Sequence, residues 1–438
     1  MTSLLIGIAL IFSVVFGRLK KVNIGLVAIP CAYLIGVFCL HMSPKQVVTL
    51  WPISLFFTIL AVSLFFGFAA ANGTLEVLAN NLLYHFRKFP ALLPIAFFLV
   101  AALVSALGAG YYAVMVLLVP VVLVICRKMH ISMIIGALAV ELGCQAGSNF
   151  MVALNGVIFR NLITQVGYSS NLAFKGATSI FIAYFITASL IVIALLVYSH
   201  IKNDHQDEET QEEMDLEKPK AFSHEQRLNL LLILIFMLAL LIPPIWHLID
   251  PHNAQVTFVN SIMDVGFLSL IFTIIAYLLG LGRRGKIMDY VPWNTILMIS
   301  GMGMLGAIAA KAGTIQLLAR SIEGAPHIVI PVAFALIACL MNTFCGSYLG
   351  VVAPAMFPVV AAVAHTTGMD PVLLFTCTTV GGLSAGISPF SAGGAMTIGF
   401  VKKEERDDMF KKTLYFGVPF SAAIALIVVI VYSLIVNH

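Results

Sequence analysis

Charge is what this chain has least of. Asp, Glu, Lys and Arg make up 10% of its 438 residues, against 61% hydrophobic. A soluble domain of this size carries about a quarter charged residues. A chain so poor in charge cannot clothe a water-facing surface, so most of its exterior must face lipid. The net charge of +4 is small and scattered, which excludes the phosphate-neutralising stripe of a nucleic-acid binder. The seven cysteines, Cys31, Cys39, Cys126, Cys144, Cys339, Cys345 and Cys377, sit in apolar runs without metal-ligand or disulfide spacing, so they read as small buried hydrophobes. No His, Asp or Glu cluster has ligand or nucleophile–base spacing at mid-span. The chain is therefore expected not to be an enzyme and to use no cofactor beyond a coupling ion. The apolar run 2–17 precedes Arg18, Lys20 and Lys21, the reverse of a secretory signal, so it reads as a retained first span.

What is abundant is long apolar sequence. Candidate spans are 2–17, 22–41, 52–71, 131–163, 173–199, 228–249, 259–280, 292–312, 371–400 and 412–436. The stretches 90–126 and 327–364 are apolar but interrupted. Residues 201–226 form the one hydrophilic stretch and read as an acidic cytoplasmic linker. Basic clusters mark the cytoplasmic side. They fall at Arg18/Lys20/Lys21, Arg87/Lys88, Arg127/Lys128, Lys218/Lys220/Arg227, Arg283/Arg284/Lys286 and Lys402/Lys403/Arg406, while loops 250–258 and 365–370 hold no Lys or Arg. One topology satisfies all of these: both termini outside, ten crossings, and 90–126 and 327–364 each leaving and returning on one side.

Shifting the chain by 238 to 241 positions aligns its halves. Gly25 meets Gly266, Pro52 meets Pro292, Gly73-Thr74 meets Gly313-Thr314, Pro120 meets Pro358, and Gly143 meets Gly381. Chance identity explains scattered Ala and Val matches, but not Pro and Gly-Thr pairs at a near-constant offset. Five crossings separate repeat mates, and an odd number inverts their orientation. The expected fold class is an all-α membrane protein of two inverted repeats of five transmembrane helices. Repeat 1 spans 1–200, with a re-entrant hairpin at 90–126 and a broken helix at 131–163. Repeat 2 spans 227–438, with a hairpin at 327–364 and a broken helix at 371–400.

Interrupted backbone at membrane depth is tolerated where it lines a cavity or packs within protein. Four clusters of Gly, Ser, Asn, Thr and Pro fall mid-span. Ser105-Ala106-Leu107-Gly108-Ala109-Gly110 and its mate Asn342-Thr343-Phe344-Cys345-Gly346-Ser347 divide the two interrupted stretches, as hairpin tips would. A tight turn between two ordinary helices fits the loop charges equally well. Gly143-Cys144-Gln145-Ala146-Gly147-Ser148-Asn149 and Gly386-Ile387-Ser388-Pro389-Phe390-Ser391 divide the two long spans. Small-residue helix packing would account for Gly143 and Gly147, but not for Ser-Pro-Phe-Ser followed by Gly-Gly. Helix ends at such breaks present free N–H groups and about half a positive charge to an anion. Free carbonyls and side-chain oxygens suit a cation. The candidate substrate-binding residues are Ser105, Gly108, Ser148, Asn149, Asn342, Thr343, Ser388, Pro389 and Ser391. The candidate cation-binding residues are Ser105, Gly147, Asn149, Asn342, Gly386 and Glu141. Glu141 is the clearest mid-span carboxylate, with function and structural pairing both open. Arg160, Lys175 and Lys311 lie near span ends and are expected to snorkel. His365 is expected in an outer loop without a transport role. The amphipathic segments 74–86 and 314–323 read as interfacial arms.

The strings Val104-Ser105-Ala106 to Pro120 and Met341-Asn342-Thr343 to Pro358 resemble the Ser-Asn-Thr hairpin motifs of divalent anion:sodium symporters, within the ion transporter superfamily. From Asn23-Ile24-Gly25 through Gly143-Cys144-Gln145-Ala146-Gly147, the chain is similar to the bacterial malonate and dicarboxylate carrier family, as is Ser388-Pro389-Phe390-Ser391. The first motif reads Val-Ser-Ala, without Asn and Thr, and this departure falls on one cation site of the sodium-coupled relatives. The resemblance implies a homodimer in the cell (inner) membrane, each protomer an elevator with a scaffold and a mobile domain. It implies a small dicarboxylate substrate such as malonate, succinate or malate, with Na⁺ as coupling ion and H⁺ as the other choice. A Na⁺/H⁺ antiporter using Glu141 is the main alternative, and a membrane-embedded enzyme the second.

Overall fold

The protein is described by a computed structural model covering residues 2–86, 92–109, 111–129, 131–203, 220–250, 253–281, 287–314, 324–345 and 347–436. Most of the acidic linker, the clusters Arg87/Lys88 and Arg283/Arg284/Lys286, and most of the second amphipathic arm lie outside the described residues. Secondary structure among the described residues is entirely helical, as expected for an all-α membrane protein. Among the described residues, six helices are long and apolar enough to cross a membrane: Ile53–Ala71, Ser170–Tyr198, His224–Pro243, Trp293–Lys311, Tyr348–Thr367 and Lys403–Val436. Eight more apolar helices run to only 10–17 residues, and most of these are the pieces of the interrupted segments.

The first half begins with α1 (Thr2–Lys20), α2 (Ile24–Leu40) and the short α3 (Pro44–Val48), followed by α4 (Ile53–Ala71) and the amphipathic α5 (Thr74–Phe86). Residues 90–126 yield α6 (Leu93–Val104), a wide π turn at Ser105–Ala109, and α7 (Tyr111–Lys128). At 1.5 Å per residue the 12-residue α6 is about 18 Å long, short of a hydrocarbon core of about 30 Å. Residues 131–163 form α8 (Met133–Ser148) and α9 (Leu154–Gln165), and α10 (Ser170–Asn203) closes the half.

The second half runs α11 (His224–Ile249), α12 (Ala254–Ile262), α13 (Val265–Leu278) and α14 (Trp293–Lys311). It continues with α15 (Val329–Cys345), a second π turn at Tyr348–Val352, and α16 (Ala353–Thr367). Then come α17 (Pro371–Leu383), α18 (Ala392–Phe400), α19 (Arg406–Lys412) and α20 (Val418–Val436).

α6 lies along α8, and α15 lies along α17. α2 crosses α14, while α13 crosses α4. α10 packs on α8 and α20 on α17. α8 and α17 are the central helices: α8 is buried from Ile134 to Ser148, and α17 from Leu373 to Leu383. A helix apolar and buried all round belongs to the interior, with its few polar side chains available for function. The periphery is the reverse. Leu278 is 82% exposed and Phe38 71%, as suits side chains meeting lipid tails.

Glycine sets the closest approaches. A Cβ on Gly25 would stand 2.1 Å from the Leu297 carbonyl, and one on Gly301 2.2 Å from the Gly25 carbonyl, so α2 and α14 touch backbone to backbone. Likewise a Cβ on Gly143 would stand 2.3 Å from the Phe98 carbonyl, one on Gly147 1.9 Å from that of Ala102, and one on Gly381 2.4 Å from that of Ala335. Gly143 and Gly147 therefore do not unwind α8; they let α6 close on it. The helix persists through Ser148, and the chain turns only at 149–153.

Candidate functional site

Each π turn is tied to the central helix beside it. In the first half, the Ser105 hydroxyl donates to the Cys144 carbonyl at 2.9 Å and lies 2.6 Å from the Ser148 hydroxyl. In the second, the Tyr348 hydroxyl of the π turn donates to the Thr379 hydroxyl of α17 at 3.0 Å, the Asn342 amide near the end of α15 donates to the Gly382 carbonyl at 2.8 Å, and the Ser388 hydroxyl donates to the Thr343 carbonyl at 2.7 Å. The Thr343 hydroxyl turns back to the Cys339 carbonyl at 2.8 Å. Gly108 takes φ +97°, and a Cβ there would stand 1.9 Å from the Phe66 ring, so the first turn needs glycine for both conformation and space.

The two breaks end in helix N-termini. α9 starts after Ala153 with no side-chain cap. α18 starts at Ser391, whose hydroxyl accepts from the Gly394 N–H at 2.9 Å and donates to the Gly386 carbonyl. Pro389 lies in the turn between them, next to Ser388, whose hydroxyl also accepts from the Phe390 N–H at 3.2 Å. Beside the first break, Asn149 accepts from the Asn155 amide at 3.2 Å, and its own amide nitrogen has no partner. The Asn342 side-chain oxygen, 2% exposed as a residue, has none either.

Beside these pieces lies an open cavity of about 1040 Å³. Of the sequence-predicted site residues, Gly108, Asn342, Gly386 and Ser391 line it. Ser105, Ser148, Thr343 and Ser388 are buried in the bonds just described, and Gly147 packs on Ala102. Asn149 reaches the wall through Asn155, which lines it. Glu141, 1% exposed, accepts from the Tyr111 hydroxyl at 2.8 Å and the Gln145 amide at 3.1 Å, and Gln145 in turn accepts from the Tyr184 hydroxyl at 2.8 Å.

Sequence reasoning missed Tyr111, Gln145, Asn155 and Ser347 as wall residues. Tyr111 follows directly on the glycine-rich turn, and Asn155 is a polar residue one position into α9, so both carried a signal. The wall also reaches Lys21 and Asp289 in the loops before α2 and α14. Sequence reasoning used Lys21 only as a marker of membrane side. Among the described residues, no group of three His, Cys, Asp or Glu is placed to hold a metal ion.

Arg160 does not reach out in isolation. Its guanidinium lies 5.3 Å from the Phe174 ring centroid, and one of its terminal nitrogens is buried without a partner.

Comparison with known proteins adds identity to this geometry. Residues 1–148 match the family model described as the N-terminus of dicarboxylate carrier protein MatC. No curated protein matches the chain. Among solved structures, the Alcanivorax borkumensis YdaH transporter superposes with a TM-score of 0.62 at 16% identity, over 92% of this chain and 88% of that one. Neisseria gonorrhoeae MtrF, described as illuminating a class of antimetabolite efflux pumps, superposes with a TM-score of 0.58 at 18% identity, over 92% of this chain and 84% of that one. The two superpositions show a shared fold. The chain is thus a multi-pass membrane protein that shares the fold of these two solved structures, and its residues 1–148 match the model of the dicarboxylate carrier N-terminus.

Proposed function

We propose that this protein is a secondary active transporter of small carboxylates, dicarboxylates such as malonate, succinate or malate, coupled to a cation. The observation that carries the reading is the cavity bounded by both π turns and both breaks. The first residues of α9, Leu154 and Asn155, and Gly393 of α18 line it. Two helix N-termini therefore border one chamber, where their free N–H groups and partial positive charge favour a carboxylate. The unpartnered Asn149 amide is a further donor, delivered beside Asn155. The unpartnered oxygen of Asn342, a residue that lines the cavity, is an acceptor of the kind a sodium ion takes. Ser105, Gly147, Ser148, Thr343, Ser388 and Pro389 hold the turns and close helix contacts that shape the site, and Gly386 forms wall beside Glu141.

The inverted-repeat reading belongs to the same proposal. Its support is the matched packing of α2 with α14 and α13 with α4, and of each first hairpin helix with its own central helix. Inverted halves give two openings of equal structure on opposite faces, the basis of alternating access. We take the movement to be of elevator type in a homodimer, with the termini outside and the linker in the cytoplasm.

Uptake of radiolabelled malonate, succinate and malate into proteoliposomes, with and without an inward sodium gradient, tests this function. Gradient-stimulated uptake of at least one carboxylate is expected; no gradient-dependent uptake of any of them would overturn it.

A further inference from the structure

Glu141 lies immediately behind the cavity wall. Four residues crowd its carboxylate. Tyr111 from α7 and Gln145 from α8 donate to Oε1. Gly386 and Gly393 flank it from the second half, since a Cβ on either would stand 2.9 Å from Oε1. A Cβ on Gly393 would also stand 1.8 Å from the Tyr111 hydroxyl. All four residues line the cavity, and Glu141 does not. The carboxylate is therefore one residue removed from whatever the cavity holds, at a junction of the two halves.

Its charge is uncompensated. Oε2 is buried and has no partner. The titratable groups facing it are Tyr111 and Tyr112 from α7, Cys144 from its own helix, and Tyr184 from α10. No Lys, Arg or His is among them. A buried carboxylate without a cationic partner is costly when ionised. A bound sodium ion would need oxygen ligands, whereas Tyr111 and Gln145 turn hydrogens toward this carboxylate. A proton needs only the free Oε2 or a rearranged Oε1.

We propose that Glu141 takes up and releases one proton in each transport cycle through the Tyr111 hydroxyl, making the carrier proton-coupled here in addition to the cation proposed at Asn342. This rests on the carboxylate-carrier reading. Tyr111 gives its hydroxyl proton to Glu141 and is reprotonated by a hydronium ion in the cavity, which is left as water, so the net change is one proton moved from hydronium to carboxylate. Release reverses the step. Gln145, held by Tyr184, is a positioning residue: it fixes the carboxylate against the two glycines.

The test uses the full-length protein in proteoliposomes that enclose a pH-sensitive dye, with sodium equal on both sides. Two signals are read with the carboxylate that the uptake screen identifies: counterflow exchange of label, and dye change on adding substrate. The wild type is expected to show counterflow and a substrate-driven proton influx. Glu141→Gln is expected to lose the proton influx and to flatten the pH profile of the counterflow that remains. Tyr111→Phe keeps the ring and removes the relay hydroxyl; it is expected to displace the pH profile, and it serves if Glu141→Gln fails to fold. Counterflow without proton movement in the wild type overturns the proton site and leaves the carboxylate reading standing. Proton influx in Glu141→Gln equal to wild type overturns it as well, as does an unchanged profile in Tyr111→Phe. No counterflow of any carboxylate in the wild type overturns the carboxylate reading, and the proton site falls with it.

Discussion

Gly108 combines two demands at one residue. Its φ of +97° is a conformation that side-chain-bearing residues resist, and the Phe66 ring occupies the place of a Cβ. Gly108→Ala should therefore cost about 1–3 kcal/mol from backbone strain and a similar amount from overpacking. Thermal unfolding in detergent checks this, and an unchanged midpoint would mean the turn adapts freely. Asn342 makes the complementary case. Its amide is committed to the Gly382 carbonyl, while its oxygen is buried and unpartnered in a residue that lines the cavity. Asn342→Ala should lose about 1 kcal/mol of stability with the hydrogen bond. It should also raise the sodium concentration for half-maximal uptake, because the proposed cation loses a ligand. Unchanged sodium dependence would place Asn342 outside the cation site.

At the scale of elements, the decisive contacts are backbone against backbone. α2 and α14 cross at Gly25 and Gly301, where an added Cβ would meet carbonyl or Cα atoms rather than a movable side chain. Gly25→Ala must push the helices apart, and about 1–3 kcal/mol of destabilisation is expected. Gly7→Ala is the control, since nothing lies within 4 Å of its Cβ position. Equal melting temperatures for the two variants would show that the crossing is loose. The sequence marked the interrupted segments because Gly, Pro, Ser and Asn punctuate otherwise apolar runs. It misplaced the first break, since Gly143 and Gly147 serve close packing as well as unwinding, and residue type alone does not separate the two uses. The turn fell instead at 149–153, after the last residue that α6 can cover.

At the scale of the whole molecule, the proposed topology rests on loop charge. Asp370 and Lys402 stand at opposite ends of the broken segment formed by α17 and α18. With the native cysteines replaced, Asp370→Cys should react with a membrane-impermeant maleimide from outside the cell, and Lys402→Cys only after the cytoplasmic face is opened. Labelling of both from one face would refute the proposed orientation. One surface contact joins the halves near that end: Arg127, at the end of α7, pairs with Glu405 after α18. Their side chains are 32% and 36% exposed, so solvent screening holds the pair to about 0–1 kcal/mol.

The sequence by itself determined the class of this protein. Scarcity of charge forces the chain into lipid, and apolar run length sets which segments can form helices there. The four interrupted segments were legible for the same reason, because broken helices carry a local composition. Proximity between distant segments is not local. Tyr111, Gln145, Gly386 and Gly393 come from three separate stretches of chain, and only their packing gathers them around Glu141. Likewise Gly25 and Gly301 show their purpose only where two helices cross. The cavity, its polar wall and the carboxylate behind it were decided by tertiary structure, since each exists only through the approach of residues from both halves.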